Sequence, residues 1–306
     1  MSRNKLNKIQ KAAVESIDGP ILIFAGAGSG KTRVLTHKMY FLINEKHYKP
    51  EDILSVTFTN KAAKEMKERV MGLLKTDKLP ITIGTFHSVF ARLLRKEAKY
   101  LNISSHFAIY DVQDQLDLLK VILKSLNITK DQITPNQARN QISYLKNKMI
   151  MPEAQSRKAR TLIEKKLVEI YSAYQKSLRD NDALDFDDLL LLPIELFDQN
   201  PKILAKYQRK WKYILVDEYQ DTNRPQFYLL TMLAKNNEQI CVVGDDDQSI
   251  YGWRGADVTN ILDFEKFFPS CRIFTLEKNY RSTQQILDAA TAVVTHNDKR
   301  AKKDLV

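Results

Sequence analysis

A glycine-rich run near the N-terminus has the residue types that bind the phosphates of a nucleotide. Its eight positions are Ala25, Gly26, Ala27, Gly28, Ser29, Gly30, Lys31 and Thr32. Glycines allow backbone N–H groups to curl around phosphate oxygens. We expect Lys31 to reach the β- and γ-phosphates and the Thr32 hydroxyl to bind Mg²⁺. Ala25 stands where the strict pattern has glycine, and a glycine-rich turn without function is the alternative.

Two adjacent carboxylates form a second group suited to phosphate chemistry. Asp217 and Glu218 follow an apolar run at residues 213–216. We expect Asp217 to bind the Mg²⁺ of a nucleotide and Glu218 to act as the general base on the attacking water. An exposed acidic turn is the alternative, and a small-molecule kinase would share both groups. ATP hydrolysis therefore needs support from elsewhere in the sequence.

Strands must position these groups, and six short apolar runs are candidates. Each run is apolar on successive residues, which is typical of strands buried on both faces of a parallel sheet. The runs span residues 21–24, 53–58, 81–83, 213–216, 240–243 and 273–276. Helical spacing at residues 61–74 separates two of them, so strand and helix alternate. This order predicts the α/β class, with a right-handed parallel sheet.

The third and fourth runs are too far apart in the chain to be joined by a loop. Residues 84–212 separate them, whereas loops above about 15 residues are rare inside compact domains. Residues 112–126 and 162–178 repeat apolar residues at intervals of three and four. We therefore predict an inserted α-helical domain at residues 88–207. The α/β domain would consist of residues 1–87 and 208–278.

Composition indicates a globular protein with a polyanionic partner. The chain has 306 residues, 43% of them hydrophobic, and a formal charge of +11. Nucleic acid is favoured over a membrane, because no apolar run approaches the ~18 residues of a membrane span. Cys241 and Cys271 lack metal-ligand spacing and are expected to be buried thiols. A cytoplasmic protein is therefore expected.

Five further segments, together with the glycine-rich run, resemble the UvrD/Rep/PcrA group of superfamily 1 helicases. They are TFTNKAA at 57–63, GTFHS at 84–88, DEYQDT at 217–222, GDDDQSIYGWRGA at 244–256 and NYRS at 279–282. The resemblance covers the whole chain and implies a RecA-like P-loop NTPase sheet. It also implies that ATP and Mg²⁺ drive 3′ to 5′ movement on single-stranded DNA. Unwinding would occur at junctions of single- and double-stranded DNA, and the sequence does not identify any protein partner.

The C-terminal end departs from that family. The family continues with most of a second RecA-like domain, and residues 279–306 would be only its start. We therefore expect a fragment or a truncated gene product. The alternative function is a nucleotide-gated DNA-binding module with little turnover. A P-loop kinase has no use for Trp253 or for the segment at 57–63.

The resemblance implies further roles around the nucleotide. Gln10 would contact the adenine edge and Tyr280 would stack on the ring, with a solvated glutamine and a core tyrosine as the alternatives. Gln248 would sense the γ-phosphate, and Arg281 would contact it. The expected nucleotide-binding residues are Gln10, the glycine-rich run, Arg33 and Tyr280. The expected catalytic residues are Lys31, Glu218, Gln248 and Arg281.

A track for single-stranded DNA needs aromatic platforms for bases and small donors for phosphates. Such residues follow three of the predicted strands, where a parallel sheet presents ligand sites. They are Phe58, Thr59, Asn60, Lys61, Thr85, Phe86, His87, Tyr251, Trp253 and Arg254. Core positions are the alternatives for Trp253, Phe58 and Phe86. His87 lacks metal partners, so we expect it to contact a phosphate or a base.

Two charged clusters in the predicted insertion have structural alternatives. A basic cluster contains Lys146, Lys148, Arg157, Lys158, Arg160, Lys165 and Lys166. It would guide duplex DNA or form a solvated helix face. The acidic run at residues 185–188 is expected to favour a helix dipole and to have no catalytic role.

Overall fold

The computed structural model of the protein describes residues 6–297, apart from the side chain of Arg254. The helices are α1 (Lys8–Glu15), α2 (Lys31–Asn44), α3 (Asn60–Leu74), α4 (Phe86–Glu97), α5 (Val112–Ser125), α6 (Pro135–Asn147), α7 (Pro152–Ser156), α8 (Leu162–Asp180), α9 (Asp188–Gln199), α10 (Pro201–Lys210), α11 (Arg224–Ala234), α12 (Thr259–Leu262), α13 (Phe264–Phe267) and α14 (Gln284–Val294). The strands are β1 (Ile21–Ala25), β2 (Ile53–Thr57), β3 (Thr82–Thr85), β4 (Ala108–Tyr110), β5 (Ala183–Asp185), β6 (Tyr213–Val216), β7 (Ile240–Gly244) and β8 (Arg272–Leu276). Within residues 6–297, no helix is long and apolar enough to cross a membrane.

The described residues form two compact units. The first comprises residues 6–89, 204–223 and 230–297, and the second comprises residues 90–203 and 224–229. Residues 279–297 thus cluster with the first unit, whereas 298–306, the rest of the predicted start of another domain, lie outside the described residues. The domain boundaries drawn from the sequence stay predictions.

The first unit is built on a six-stranded sheet in the order β3-β2-β6-β7-β1-β8. Every neighbouring pair is parallel. All six predicted strands are present, with ends shifted by one or two residues, and the predicted α/β fold class is confirmed. Because the strands run the same way, their carboxyl ends lie at one edge of the sheet. The loops that follow them therefore meet at that edge.

Both faces of this sheet are covered, which explains the uninterrupted apolar runs. Alternate residues of a strand point to opposite faces. Ile21 and Ile23 of β1 belong to a core cluster that also contains residues of α1, α2 and α3. Leu22, from the other face, is buried as well. Burial on both sides fixes the register of the central strands, because a shift of one residue would exchange the two faces.

The second unit is mainly helical, as predicted, but it also contains a small sheet. Its main core cluster joins residues of α5, α6 and α8, whose apolar positions recur at helical spacing. β4 and β5 pair in parallel, with Ile109 opposite Leu184. These two strands were missed in the sequence because each is only three residues long, too short for an alternating pattern.

Lys146 corrects the interpretation of the basic cluster. Its side chain is 0% exposed, so it belongs neither to a solvated helix face nor to a surface for duplex DNA. The ammonium lies 2.7 Å from Asp185 Oδ2 and 2.8 Å from Asp188 Oδ1. Burial lowers the pKa of Lys146, but the two carboxylates outweigh burial and raise it. The lysine therefore stays charged, and removing one member of such a buried group is costly.

The acidic run 185–188 lies at the start of α9, as predicted, and it also takes part in a buried ion-pair network. Asp185 and Asp188 share one ammonium, and Tyr174 donates to Asp185 Oδ2 at 3.1 Å. Burial and the charge of Asp185 raise the pKa of Asp188 to about 7. Burial opposes ionisation of Asp185 too, but Lys146 prevails and lowers its pKa. The run therefore holds α6, β5 and α9 together through a buried ion-pair network.

Replacing Lys146 with methionine should destabilise the second unit by about 3–5 kcal/mol, because two carboxylates lose their counter-ion. Lys148→Met, at an exposed position beside the end of α6, is the matched control and should change stability by no more than ~0.5 kcal/mol. Urea unfolding followed by circular dichroism measures both variants. Equal stability of the two would show that the buried ion pairs contribute nothing.

Candidate functional site

The glycine-rich run forms a loop between β1 and α2. Ala25 is the last, buried residue of β1, so the strand needs no glycine there. Gly28 and Gly30 have φ angles of 73° and 97°, which favour glycine. The Gly26 carbonyl accepts hydrogen bonds from the Ser29 amide and hydroxyl, which closes the turn. Lys31 and Thr32 then begin α2, whose N-terminal N–H groups can donate hydrogen bonds to an anion.

Lys31 lies near the acidic pair that follows β6. Its Nζ is 3.3 Å from the Ala25 carbonyl and 3.7 Å from Glu218 Oε2. Asp217 is buried, and burial followed by the negative charge of Glu218 raises its pKa to about 7. Lys31 opposes this shift. Two carboxyl groups thus lie close together with only the Lys31 ammonium nearby, and such an arrangement suits an additional divalent cation.

Glu218 adopts a backbone conformation that is unfavourable for its residue type. Its φ and ψ are 51° and 48°, in the left-handed region. A residue with a side chain occupies this region at a cost of about 1–2 kcal/mol, so the surrounding contacts must hold it there. The Glu218 amide donates to Asp217 Oδ1 at 3.1 Å, and Gln220 Nε2 donates to Glu218 Oε2 at 2.9 Å.

Gln10 and Tyr280 lie beside the glycine-rich loop. Gln10 is fully buried, so the solvated alternative is wrong; its Nε2 donates to the Ser29 carbonyl at 2.9 Å. Tyr280 is 49% exposed, so the core alternative is wrong. Its backbone amide donates to the Gly28 carbonyl, and its hydroxyl accepts from Asn7 Nδ2 at 3.0 Å. An exposed ring thus stands next to the phosphate loop.

The segment Asn279–Arg281 closes over the loop at Gly28. A Cβ atom at Gly28 would lie 2.7 Å from both Arg281 Cβ and Asn279 Nδ2. Asn279 Nδ2 donates to the Ala27 carbonyl, while its Oδ1 accepts from the Arg281 amide at 2.7 Å. The exposed Arg281 is therefore anchored next to the glycine-rich loop, and its contact with a phosphate stays a prediction.

Gln248 follows β7, the strand between β6 and β1. Its Nε2 donates to Asp245 Oδ2, and its amide donates to the Asp245 carbonyl at 2.9 Å. Carboxylates of Asp245, Asp246 and Asp247 come within 4.8 Å of one another. Asp245 is already engaged by Gln248 and by the Asp247 amide, so we assign this triplet no metal.

The same loop carries Tyr251 and Trp253, two of the aromatic residues predicted to bind DNA. The rings of Phe58 and Tyr251 lie 4.6 Å apart at 31°, and those of Tyr251 and Trp253 lie 6.5 Å apart at 42°. We call these three residues the aromatic row. Trp253 is 75% exposed, so the core alternative for it is wrong. The row brings together the end of β2 and the loop after β7.

The other predicted DNA residues divide into exposed and buried ones. Thr59, Asn60 and Lys61 are exposed at the start of α3, where Thr59 caps the helix by accepting from the Ala62 amide. Thr85 Oγ1 accepts from the Ser88 amide. Phe86 is 4% exposed, so its predicted stacking is corrected: the ring packs in the core and offers no face to a base. Arg254 was also predicted to bind DNA, and its side chain lies outside the described residues.

His87 is largely withdrawn from solvent. Burial lowers its pKa to about 4, so the imidazole is neutral at pH 7. A neutral ring donates or accepts a hydrogen bond but brings no positive charge to a phosphate. Arg33, expected at the nucleotide, lines a shallow depression with Thr36, His37 and Arg69. The contacts of His87 and Arg33 with ligands stay predictions.

Four residues that support the site were missed in the sequence. Asn279 is the first residue of NYRS and Asn7 lies three residues before Gln10, and these positions were the available signal. Lys38 is fully buried and donates to the Ala13 carbonyl at 2.8 Å and to the Ser16 carbonyl, which fixes the end of α1. Gln220 lies within DEYQDT, where the carboxylates of Asp217 and Glu218 are the residues whose type indicates chemistry. Neither Lys38 nor Gln220 had a sequence signal of its own, because burial decides their roles.

The parallel sheet, the glycine loop before α2 and the acidic pair after β6 define a P-loop NTPase fold of the RecA-like type. A family model described as the UvrD/REP helicase N-terminal domain matches residues 6–269. The chain therefore belongs to this helicase family.

Three relatives illustrate the similarity, and each is an ATP-dependent DNA helicase PcrA. The Bacillus subtilis (strain 168) protein is 50% identical over 300 residues, which is 98% of this chain and 41% of that protein. The protein of Staphylococcus epidermidis (strain ATCC 12228) is 48% identical over 300 residues, with the same shares covered. That of Staphylococcus aureus (strain Mu50) is 47% identical over 302 residues, which is 99% of this chain and 41% of the relative. The chain thus spans about two fifths of the length of these relatives.

Gly28→Ala should displace the Asn279–Arg281 segment from the phosphate loop. Both the positive φ and the contacts at 2.7 Å oppose a side chain there, and we expect at least a tenfold loss of affinity for a fluorescent ATP analogue. Gly19→Ala is the matched control, because Gly19 has a φ of 75° but no atom within 4 Å of the added Cβ. It should lose stability by about 1 kcal/mol without losing affinity. Equal affinities of the two variants would contradict the closure over Gly28.

Proposed function

We propose that this chain is the ATP-binding part of a DNA helicase motor that moves 3′ to 5′ on single-stranded DNA. ATP hydrolysis would drive the movement, and unwinding would occur at junctions of single- and double-stranded DNA. The observation that carries the proposal is the loop after β7. This one short loop follows β7, the strand between β6 and β1, and it carries both Gln248 and Trp253, the latter in the aromatic row.

The nucleotide would lie over the glycine loop, between α1 and the Asn279–Arg281 segment. The exposed Tyr280 ring offers a face to adenine, and the Gln10 amide retains one N–H beyond its bond to Ser29. Lys31, Gln248 and Arg281 would surround the γ-phosphate. Their donors would stabilise the charge that develops on it during hydrolysis.

Glu218 would accept the proton of the attacking water. It is partly exposed, whereas Asp217 beside it is buried. Thr32 and Asp217 would hold Mg²⁺ together with phosphate oxygens, a donor set of oxygens that Mg²⁺ prefers. When bound, the ion would neutralise phosphate charge. The raised pKa of Asp217 supports this assignment, because a buried carboxylate next to Glu218 is stabilised by a nearby cation.

The DNA would pass along the carboxyl ends of β3, β2 and β7. The aromatic row offers stacking faces to bases without regard to sequence, and exposed Thr59, Asn60 and Lys61 at the start of α3 suit phosphates. The net charge of +11 favours a polyanion. We further propose that residues 88–207 form a domain inserted into the ATP-binding domain of residues 1–87 and 208–278.

Glu218→Gln should keep its affinity for ATP and lose hydrolysis by about 100- to 10,000-fold, because an amide does not accept the proton of water. Lys31→Ala should lose both hydrolysis and affinity for ATP, since it removes a cation next to the phosphates. Phosphate release and binding of a fluorescent ATP analogue are measured side by side. A wild-type chain that binds ATP and DNA without turnover would favour a nucleotide-gated binding module. Normal hydrolysis by Glu218→Gln would exclude Glu218 as the base.

Trp253→Ala should weaken binding of oligo(dT) by about 1–3 kcal/mol, or roughly five- to 150-fold, because one stacking platform is lost. A mixed-sequence strand should be affected equally. The melting temperature should change little, since the ring is 75% exposed. Trp211→Ala, which removes a buried tryptophan of the same unit, should instead cost about 3–5 kcal/mol of stability. Unchanged oligo(dT) affinity in folded Trp253→Ala would exclude the stacking role.

A further inference from the structure

Gln220 lies between the proposed general base and the loop after β7, which carries Tyr251 and Trp253 of the aromatic row. It is 1% exposed, and its side-chain amide has partners at both ends. Nε2 donates to Glu218 Oε2 at 2.9 Å and to Asp221 Oδ2 at 3.3 Å. Oε1 accepts from the Asp245 amide at 2.9 Å. Carboxylates only accept and a backbone amide only donates, so this orientation of the glutamine amide is fixed by its partners.

The approach of Gln220 to β7 is close because β7 ends in glycine. A Cβ at Gly244 would lie 2.6 Å from Gln220 Oε1 and 3.2 Å from the Gln220 backbone nitrogen. Gly244 is not in the left-handed region, so space alone requires glycine here. The end of β7 and Gln220 are thus packed without slack, and a shift of one displaces the other.

A second contact joins Gln220 to the loop itself. Ser249 Oγ donates to the Gln220 carbonyl at 3.3 Å. Asp245, whose amide Gln220 binds, also accepts from Gln248 Nε2. Tyr251 and Trp253 follow within four residues of Ser249. The start of the loop after β7 therefore contacts both the side chain and the backbone of Gln220.

On the other side, Gln220 contacts the carboxylate oxygen that also faces Lys31. Lys31 Nζ and Gln220 Nε2 both approach Glu218 Oε2, at 3.7 and 2.9 Å. Both of these contacts are made with Oε2, so we expect Oε1 to be the oxygen that accepts a proton. Because the Glu218 backbone is in the left-handed region, its side chain depends on such contacts for its position.

We infer that Gln220 is a positioning residue that couples DNA occupancy to the general base. This inference rests on the proposed function. When a base stacks on Trp253, the loop after β7 moves, and its root at Asp245 and Ser249 moves Gln220. The Gln220 amide then reorients the Glu218 carboxylate toward the attacking water. DNA would in this way raise the rate of hydrolysis through one glutamine that contacts neither nucleotide nor DNA.

The test uses the ratio of the ATPase rate at saturating oligo(dT) to the rate without DNA. Gln220→Met keeps the length of the side chain and removes all amide contacts. It should lower the ratio at least tenfold, because DNA can then no longer move Glu218 into its catalytic position, and a displacement of about 1 Å costs on the order of 100-fold in rate. The affinity for oligo(dT), measured by fluorescence anisotropy, should stay within about threefold of wild type. A merely structural glutamine would lower both rates together and leave the ratio unchanged.

Gln208→Met is the matched control. Gln208 is also a buried glutamine of the first unit, with Nε2 donating to the Met232 carbonyl at 2.8 Å, but it lies on α10, outside the carboxyl edge of the sheet. It should lose stability and keep the wild-type ratio. Should Gln220→Met fail to fold, Ser249→Ala removes only the contact of the loop with the Gln220 carbonyl and should lower the ratio about threefold or more.

The outcomes separate this inference from the proposed function. A wild-type chain without DNA-stimulated hydrolysis overturns both. A stimulated wild-type chain whose Gln220→Met or Ser249→Ala variant keeps the full ratio overturns the coupling role of Gln220 alone. A ratio that falls equally in Gln220→Met and Gln208→Met also overturns it, because any buried glutamine would then have the same effect.

Discussion

Parallel pairing of six strands is the constraint on which the candidate site depends. Because all six strands run the same way, the glycine loop, the acidic pair, Gln248 and Phe58 are all placed at one edge of the sheet. The strand order then sets their neighbours. β7 lies between β6 and β1, so the loop after it is flanked by the acidic pair on one side and the phosphate loop on the other. An antiparallel strand at that position would remove Gln248 from the site.

Close packing at two glycines completes this edge. Gly28 allows the Asn279–Arg281 segment to approach the phosphate loop, and Gly244 allows Gln220 to approach the end of β7. Because neither glycine has a Cβ, these neighbours pack directly against the glycine backbone, and little free volume separates the loops. Lys38 fixes the end of α1 through its hydrogen bond to the Ala13 carbonyl, and α1 carries Gln10. Such packing allows a small displacement at one loop to reach the next.

Much of this architecture was predictable, because it depends on local patterns. The six strands were found from uninterrupted apolar runs, and the glycine loop and acidic pair from residue type and spacing. The sequence did not show which of these side chains are buried. Lys146 belongs to a run of basic residues like its neighbours, yet it lies in the core with two aspartates that are distant in sequence. Phe86 and Trp253 are both aromatic residues near strand ends, and only packing separates the core ring from the exposed one.

Gln220 illustrates the same limit within a recognised motif. Its neighbours have charges that suggest chemistry, whereas the importance of an amide depends on what it contacts. Those contacts involve Glu218, two residues away, and Asp245, which directly follows β7. The short strands β4 and β5 were missed for a related reason, since they are defined by pairing with each other and not by a pattern within either. Long-range contacts are therefore what the structure adds.

The central claim is that one loop belongs to both the nucleotide site and the DNA track. Its most direct test is the affinity of the wild-type chain for oligo(dT), measured by fluorescence anisotropy with and without a non-hydrolysable ATP analogue and Mg²⁺. The account predicts that the analogue changes this affinity by about five- to 150-fold and that oligo(dT) changes the affinity for the analogue by the same factor, since coupling between two sites is reciprocal. Identical oligo(dT) affinities with and without saturating analogue would contradict it.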